Sequence, residues 1–157
     1  MRPSFSFAAL AGGPALLSLT LAPAISSHAQ SGQQPYGRCA ACHLATGAGV
    51  PGAFPSLQKD ARTLARTPDG RRYLIQVVTR GVSGPITVDG KSYRGTMPKQ
   101  GGLDDAAVAG VLTYVTGTIG KGGAAPKAFT AAEVKAAREA GAALMPAAVA
   151  LSRPAVK

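Results

Sequence analysis

The chain of 157 residues has no Trp, only 4 Phe and 4 Tyr, and just 2 Cys and 2 His. Aromatic side chains bury the largest areas, so little is available to fill a core. That argues against a large apolar-cored enzyme, and the length leaves no room for two full catalytic domains. Any metal site is short of protein ligands from the start. Acidic residues are scarce too: 7 Asp+Glu stand against 17 Lys+Arg, a formal charge of +10. Turn-forming residues are plentiful, with 20 Gly and 12 Pro. The balance suits a small domain built around something that is not protein.

The first segment has the pattern of an export leader. Arg2 precedes an apolar run from about Phe5 to Ile25, followed by Ser26-Ser27-His28-Ala29. A positive start, an apolar middle and a small-residue exit define a secretory signal. Cleavage after Ala29 would leave Gln30 as the new N-terminus. The rival is an uncleaved membrane anchor, since the run is nearly long enough to span a bilayer. Gly12, Gly13, Pro14 and Pro23 interrupt it and favour cleavage. Neither cysteine lies in this segment, which excludes a lipid-anchored Cys at the cut. No later stretch is long and apolar enough to cross a membrane. Three parts are expected: a leader over 1–29, a compact domain over 30–121, and a linker with a helical extension over 122–157. Loss of the leader removes Arg2 and His28, leaving His43 as the single histidine and Met97 and Met145 as the methionines.

The expected mature chain soon reaches Cys39-Ala40-Ala41-Cys42-His43. Cys-x-x-Cys-His is the pattern of covalent haem attachment. On one helical turn, two thiols three residues apart can add across the two vinyl groups of a haem, and the next residue projects its imidazole at the iron. Three other readings compete. A Cys39–Cys42 disulfide would close only a tiny loop and add little. A thioredoxin-like pair needs a βαβ context that is absent nearby. A zinc site needs about four ligands, and Cys39, Cys42 and His43 are three. The leader adds weight to haem, because such haems are attached after export.

A six-coordinate haem needs a second axial donor, usually Met or His. With no second histidine, Met97 in Gly95-Thr96-Met97-Pro98 is favoured over Met145, which lies in the extension. The competing reading of a methionine is a core gap-filler. A thioether opposite an imidazole favours ferrous iron and blocks the position where oxygen or peroxide would bind.

Four stretches together resemble one family: Cys39-Ala40-Ala41-Cys42-His43, Phe54-Pro55-Ser56-Leu57, Tyr93-Arg94-Gly95-Thr96-Met97-Pro98, and Leu112-Thr113-Tyr114-Val115. Residues 32–120 are similar to the class I (monohaem) cytochromes c, most of all to small cytochromes that accompany periplasmic dehydrogenases. The resemblance implies an all-α cytochrome c fold, with helices wrapped around one covalent haem c and a small hairpin before the Met loop. It implies His43 and Met97 as axial ligands to the iron. It also implies that the Pro55 carbonyl accepts a hydrogen bond from the His43 ring and that Leu57 lines the haem pocket. Two departures stand out. Pro35 sits where the first helix should be, so that helix is expected to be short, with Pro35 near its first turn. The last helix ends Thr118-Ile119-Gly120, where relatives often carry Trp.

Elsewhere, residues 44–60 are expected to be loop. A helix is expected from Asp69 or Gly70, with Tyr73, Leu74, Val77 and Val78 as its apolar face. Ile86-Thr87-Val88 and Lys91-Ser92-Tyr93 flank Asp89-Gly90, a two-residue hairpin signal. Leu103 and Asp104 open the last core helix as staple and N-cap, with Val108, Val111, Leu112 and Val115 on its buried face. Thr130 and Glu133 form a capping box for a further helix, and a short one starts near Pro146. This extension either packs on the haem domain, grips a partner or stays solvated. Arg62, Arg66, Arg71 and Arg72 are taken as a solvated face. Lys91, Arg94 and Lys99 flank Met97, where cations would steer an acidic redox partner, and Tyr93 or Arg94 would bind a haem propionate. Charges not interleaved with aromatics, in an exported protein, argue against nucleic acid.

The expected function is one-electron transfer by an exported, periplasmic electron-transfer protein rather than an enzyme. Two alternatives remain: a dedicated electron-accepting subunit of a periplasmic dehydrogenase, and a haem enzyme or gas sensor with an open iron face.

Overall fold

The computed structural model describes residues 27–156, with side chains from Gly32 onward. The leader expected over 1–29 lies outside the residues described, except that Ser27, His28 and Ala29 begin the backbone of the first helix. Among the described residues, no helix is long and apolar enough to cross a membrane. The fold is largely helical with two small antiparallel pairings.

Helix α1 spans Ser27–His43 and runs straight through Pro35. The expectation of a short helix starting near that proline is therefore corrected. A proline inside a helix removes one backbone hydrogen bond and costs about 3 kcal/mol. Tertiary packing on either side of it overrides that cost. A Cβ on Gly32 would stand 2.1 Å from the Gly110 carbonyl oxygen, so α1 crosses α4 (Asp105–Tyr114) almost backbone to backbone. One turn later Tyr36 is buried, its ring 5.4 Å from that of Tyr114. Its hydroxyl donates to the Leu44 carbonyl at 2.8 Å, tying the helix to the chain just past His43. Burial, with Cys39 and Tyr114 nearby, pushes the Tyr36 pKa up to about 12.

The Asp104 carboxylate caps α4 by accepting from the Ala107 N–H at 2.7 Å. Val108, Val111, Leu112 and Val115 are all buried, as their spacing predicts. The helix then widens into a π-helical turn, Val115–Ile119, and stops at Gly120. Ile119, in that turn, is buried.

Helix α2, Asp60–Leu64, is not foreshadowed by the loop expected over 44–60. Helix α3, Pro68–Arg80, starts slightly earlier than expected, because Pro68 suits a first helical turn and Thr67 accepts from the Gly70 N–H at 3.1 Å. Tyr73, Leu74 and Val78 are buried, but so is Ile75, with no exposure at all. The helix is covered on more than one side, so a one-face pattern understates its burial. Strand β1, Val82–Ser83, comes next. The hairpin forms as β2, Ile86–Val88, paired with β3, Lys91–Tyr93. Asp89 and Gly90 both take positive φ, 48° and 74°, as this tight turn demands. Strand β4, Thr96–Met97, returns to pair with β1, setting Val82 opposite Met97.

The extension packs onto the domain. Helix α5, Ala131–Ala140, lies on α3 and α4, and helix α6, Pro146–Leu151, lies on β1 and α3. Thr130 caps α5, its hydroxyl accepting from the Glu133 N–H at 3.2 Å. Val134 and Val149 are completely buried, and Phe129 joins the same core. Helices this short are marginal alone in water, and this burial is what holds them.

Arginine clamps replace the solvated face expected for the first basic cluster. Arg62 is buried and donates to the carbonyls of Thr116 at 2.8 Å, Gly117 at 2.7 Å and Gly123 at 3.0 Å. Those are carbonyls that the π-helical turn and the chain beyond it leave open, and a guanidinium fork suits them. Arg66 is exposed, yet it reaches the carbonyls of Gly122 and Ala124. Arg71 holds Glu133 in a two-pronged ion pair at 2.5 and 2.7 Å, with its guanidinium carbon 3.8 Å from the Phe129 ring centre. Arg72, paired with Asp69 on its own helix, keeps the exposed character expected of the cluster.

Two outcomes are expected from this packing. Val149→Ala should lower unfolding stability by about 2 kcal/mol in chemical denaturation, because two buried methyl groups are lost and a cavity remains. The Arg71 hydrogen bond holds the Glu133 carboxyl below its usual pKa against the upward push of burial. A depressed folded-state pKa contributes stability above the unfolded value and loses it as pH falls through the folded one. The stability gap between wild type and Glu133→Gln should therefore be widest near neutral pH and close on acidification.

Candidate haem site

Four segments converge on a cavity of about 400 Å³. The last turn of α1 contributes Cys39, Cys42 and His43; the loop after it contributes Phe54, Pro55, Ser56 and Leu57; α3 contributes Tyr73, Leu74 and Val77; and the strands contribute Val82, Ile86, Val88, Tyr93 and Met97. The volume is in the range of small-molecule and cofactor pockets, and most of these side chains are apolar.

Each predicted site residue has a definite place. Cys39 and Cys42 are half-buried, unpaired thiols on the wall. Burial pushes the Cys39 thiol pKa up, with Arg38 opposing. His43 is buried and its Nδ1–H donates to the Pro55 carbonyl at 2.8 Å. That bond fixes the ring's tautomer and leaves Nε2 as the free lone pair, the arrangement that suits a metal-binding imidazole. Burial pushes the His43 pKa down while the bond to Pro55 resists the shift. Leu57 is half-buried on the wall, and Tyr93 is buried on it. Met97 lies on the wall within β4, fixed by pairing with β1 and by the Ser83 and Thr96 hydroxyls 2.9 Å apart. Arg94 is exposed and is not part of the wall, and Met145 is 68% exposed and away from it.

The loop from His43 to Pro55 needs a close approach to make this geometry. Gly49 adopts a φ of +68°, and a Cβ there would sit 2.4 Å from the Phe54 oxygen and 2.6 Å from the Pro55 carbonyl. Backbone hydrogen bonds from Gly49 N–H to His43 O at 3.0 Å and from Leu57 N–H to Gly47 O at 2.8 Å close the loop.

Sequence reasoning missed the three charged residues on the wall: Arg38, Asp60 and Arg153. Buried Asp60 and half-buried Arg153 form an ion pair at 2.5 Å, with side chains 9% and 12% exposed. Burial raises the Asp60 pKa, and the Arg153 guanidinium opposes the rise. No motif marks either position, since their meeting depends on where α6 docks.

The donor set fits a covalently tethered haem. Two free thiols and an oriented imidazole share one helical turn, and a thioether lines the same apolar cavity. Among the described residues, no cluster of three or more His, Cys, Asp or Glu exists to hold a bare metal ion instead.

Comparison with known proteins agrees. Residues 29–118 match the sequence model of the family described as cytochrome c. A cytochrome c-552 from Thermus thermophilus is 35% identical over 125 residues, covering 78% of this chain and 84% of that protein. A second Thermus thermophilus cytochrome c-552 is 38% identical over 109 residues, covering 68% of this chain and 83% of its own length.

Gly49→Ala should displace the Pro55 carbonyl and release the His43 ring. The expected result is a stability loss of about 2 kcal/mol and a shifted or broadened Nδ1 proton resonance of His43.

Proposed function

The chain belongs to the cytochrome c family, whose members bind haem c covalently and carry single electrons, and on that premise we propose that Cys39 and Cys42 tether the haem while His43 and Met97 ligate its iron. The observation that carries this reading is the shared cavity wall: both thiols, the Pro55-oriented imidazole and the Met97 thioether face one apolar space. When bound, the haem supplies reversible one-electron chemistry at iron.

The protein's own residues do the rest. Cys39 and Cys42, both free thiols on the wall, would hold the haem permanently through thioether links. The Pro55 carbonyl keeps the His43 Nδ1 proton in place and so keeps Nε2 available. Met97, held on the cavity wall by the β1 pairing, would supply a thioether to the iron, a donor that favours the reduced state and would keep small molecules from that position. Val77, Val82, Ile86 and Leu74 keep the surroundings apolar, which limits water and hence reorganisation on electron transfer.

The partner surface is proposed at the cavity mouth. Phe54 lines the cavity and is 40% exposed, and Val50, which bridges to it, is 39% exposed. Lys91, Arg94 and Lys99 are exposed beside the Met97 segment. An apolar spot with nearby cations suits a redox protein with an acidic face. A docking arm at the C-terminus receives less support, because Val134 and Ala137 of α5 and Val149 and Ala150 of α6 are buried against their own domain. We place the protein in the periplasm, on the strength of the leader pattern over 1–29.

Visible spectroscopy of the holoprotein tests the reading. The wild type should show a Soret band and, when oxidised, a weak red-edge band from Met-to-iron bonding. Met97→Ala should abolish that weak band and admit carbon monoxide. A wild-type haem that is high-spin and binds carbon monoxide readily would overturn it.

A further inference from the structure

We infer that Arg153, brought in by α6, is the cation that meets a haem propionate, and that its pairing with Asp60 sets the reduction potential. The inference rests on the haem reading above and adds to it a residue outside the family match of 29–118.

Arg153 is in the right place. It lines the same cavity as Cys39, His43 and Met97, although it lies far along the chain from all three. It is held there by α6: completely buried Val149 anchors the helix, and the Arg153 N–H reaches the Ala150 carbonyl at 3.4 Å. Its guanidinium carbon lies 5.4 Å from the Tyr73 ring centre, and Tyr73 is itself a buried wall residue. The side chain is therefore fixed rather than waving in solvent.

Arg153 also has donors to spare. A guanidinium carries five N–H donors. Arg153 gives one to Asp60, from Nη2 to Oδ1, and Tyr73 stands close enough to engage it as well. The rest of the planar fork suits a second carboxylate. The two other candidate cations fit less well. Arg94 is exposed and off the wall. Arg38 is on the wall but exposed, with its Nη1 donating to the Gly101 carbonyl at 3.2 Å. Asp60 cannot face a propionate unaided, because two carboxylates repel; a guanidinium between them resolves the conflict.

The consequence is electrostatic. Reduction adds one negative charge at the iron, so a nearby fixed cation favours the reduced form and a fixed anion disfavours it. The low exposure of both side chains limits the screening of either effect.

Redox titration of the intact holoprotein at neutral pH tests this. Arg153→Gln should shift the midpoint to lower potential, Asp60→Asn to higher potential, and Arg153→Lys should remain close to wild type. Shifts of opposite sign support the inference. Shifts of the same sign, the pattern expected if either change merely loosens α6 and admits water, would overturn it, as would unchanged potentials in both. If Arg153→Gln does not fold, Asp60→Asn and Arg153→Lys still decide: no upward shift in the first, or a clear downward shift in the second, rejects the assignment. Soret and red-edge bands recorded on the same samples separate the two levels. Intact bands with unmoved potentials reject Arg153 alone, whereas a wild type without those bands rejects the electron-carrier reading beneath it.

Discussion

The constraint on which the rest of the structure depends is an apolar cavity that the chain cannot fill from its own side chains. With no Trp and few other aromatics, these helices and strands leave about 400 Å³ open among Cys42, His43, Leu74, Val82 and Met97. Empty space of that size would forfeit packing on every surrounding wall. A covalently attached porphyrin turns it into core. The fold is then a frame whose elements are each anchored elsewhere: α1 on α4 through Gly32 and Tyr36, α3 under α5, and β4 on β1. That arrangement fixes both sides of the site without requiring the site to hold itself together.

What the sequence revealed and what it hid divide along a physical line. The Cys39–His43 motif, the Asp89-Gly90 turn and the caps at Asp104 and Thr130 are local, and each depends on atoms within a few residues. Tertiary packing could not easily overrule them. Pro35 shows the opposite case: a local rule predicted a short helix, and a backbone-to-backbone crossing outweighed it. The β1–β4 pairing was invisible because two-residue strands leave no alternation to detect. Ile75 was missed because a helix covered on several sides loses its single-face pattern.

The arginines carry the same lesson about charge. A run of Arg62, Arg66, Arg71 and Arg72 in sequence resembles a solvated face, yet Arg62 and Arg71 are spent on carbonyls and a carboxylate inside the molecule. Arg62 satisfies open carbonyls of the π-helical turn at Thr116 and Gly117, which a regular helix end would have left to water. Formal net charge therefore overstates the cations available to a partner. The exposed cations flanking Met97 in sequence, Lys91, Arg94 and Lys99, are a minority of the total.

The wide separation of Arg153 from the attachment motif divides the chamber between distant parts of the chain. The two thiols belong to the first helix, whereas the Arg153 side of the wall exists only once α6 has docked on β1 and α3. A translation product cut short before α6 would keep the attachment motif and lack that side of the wall.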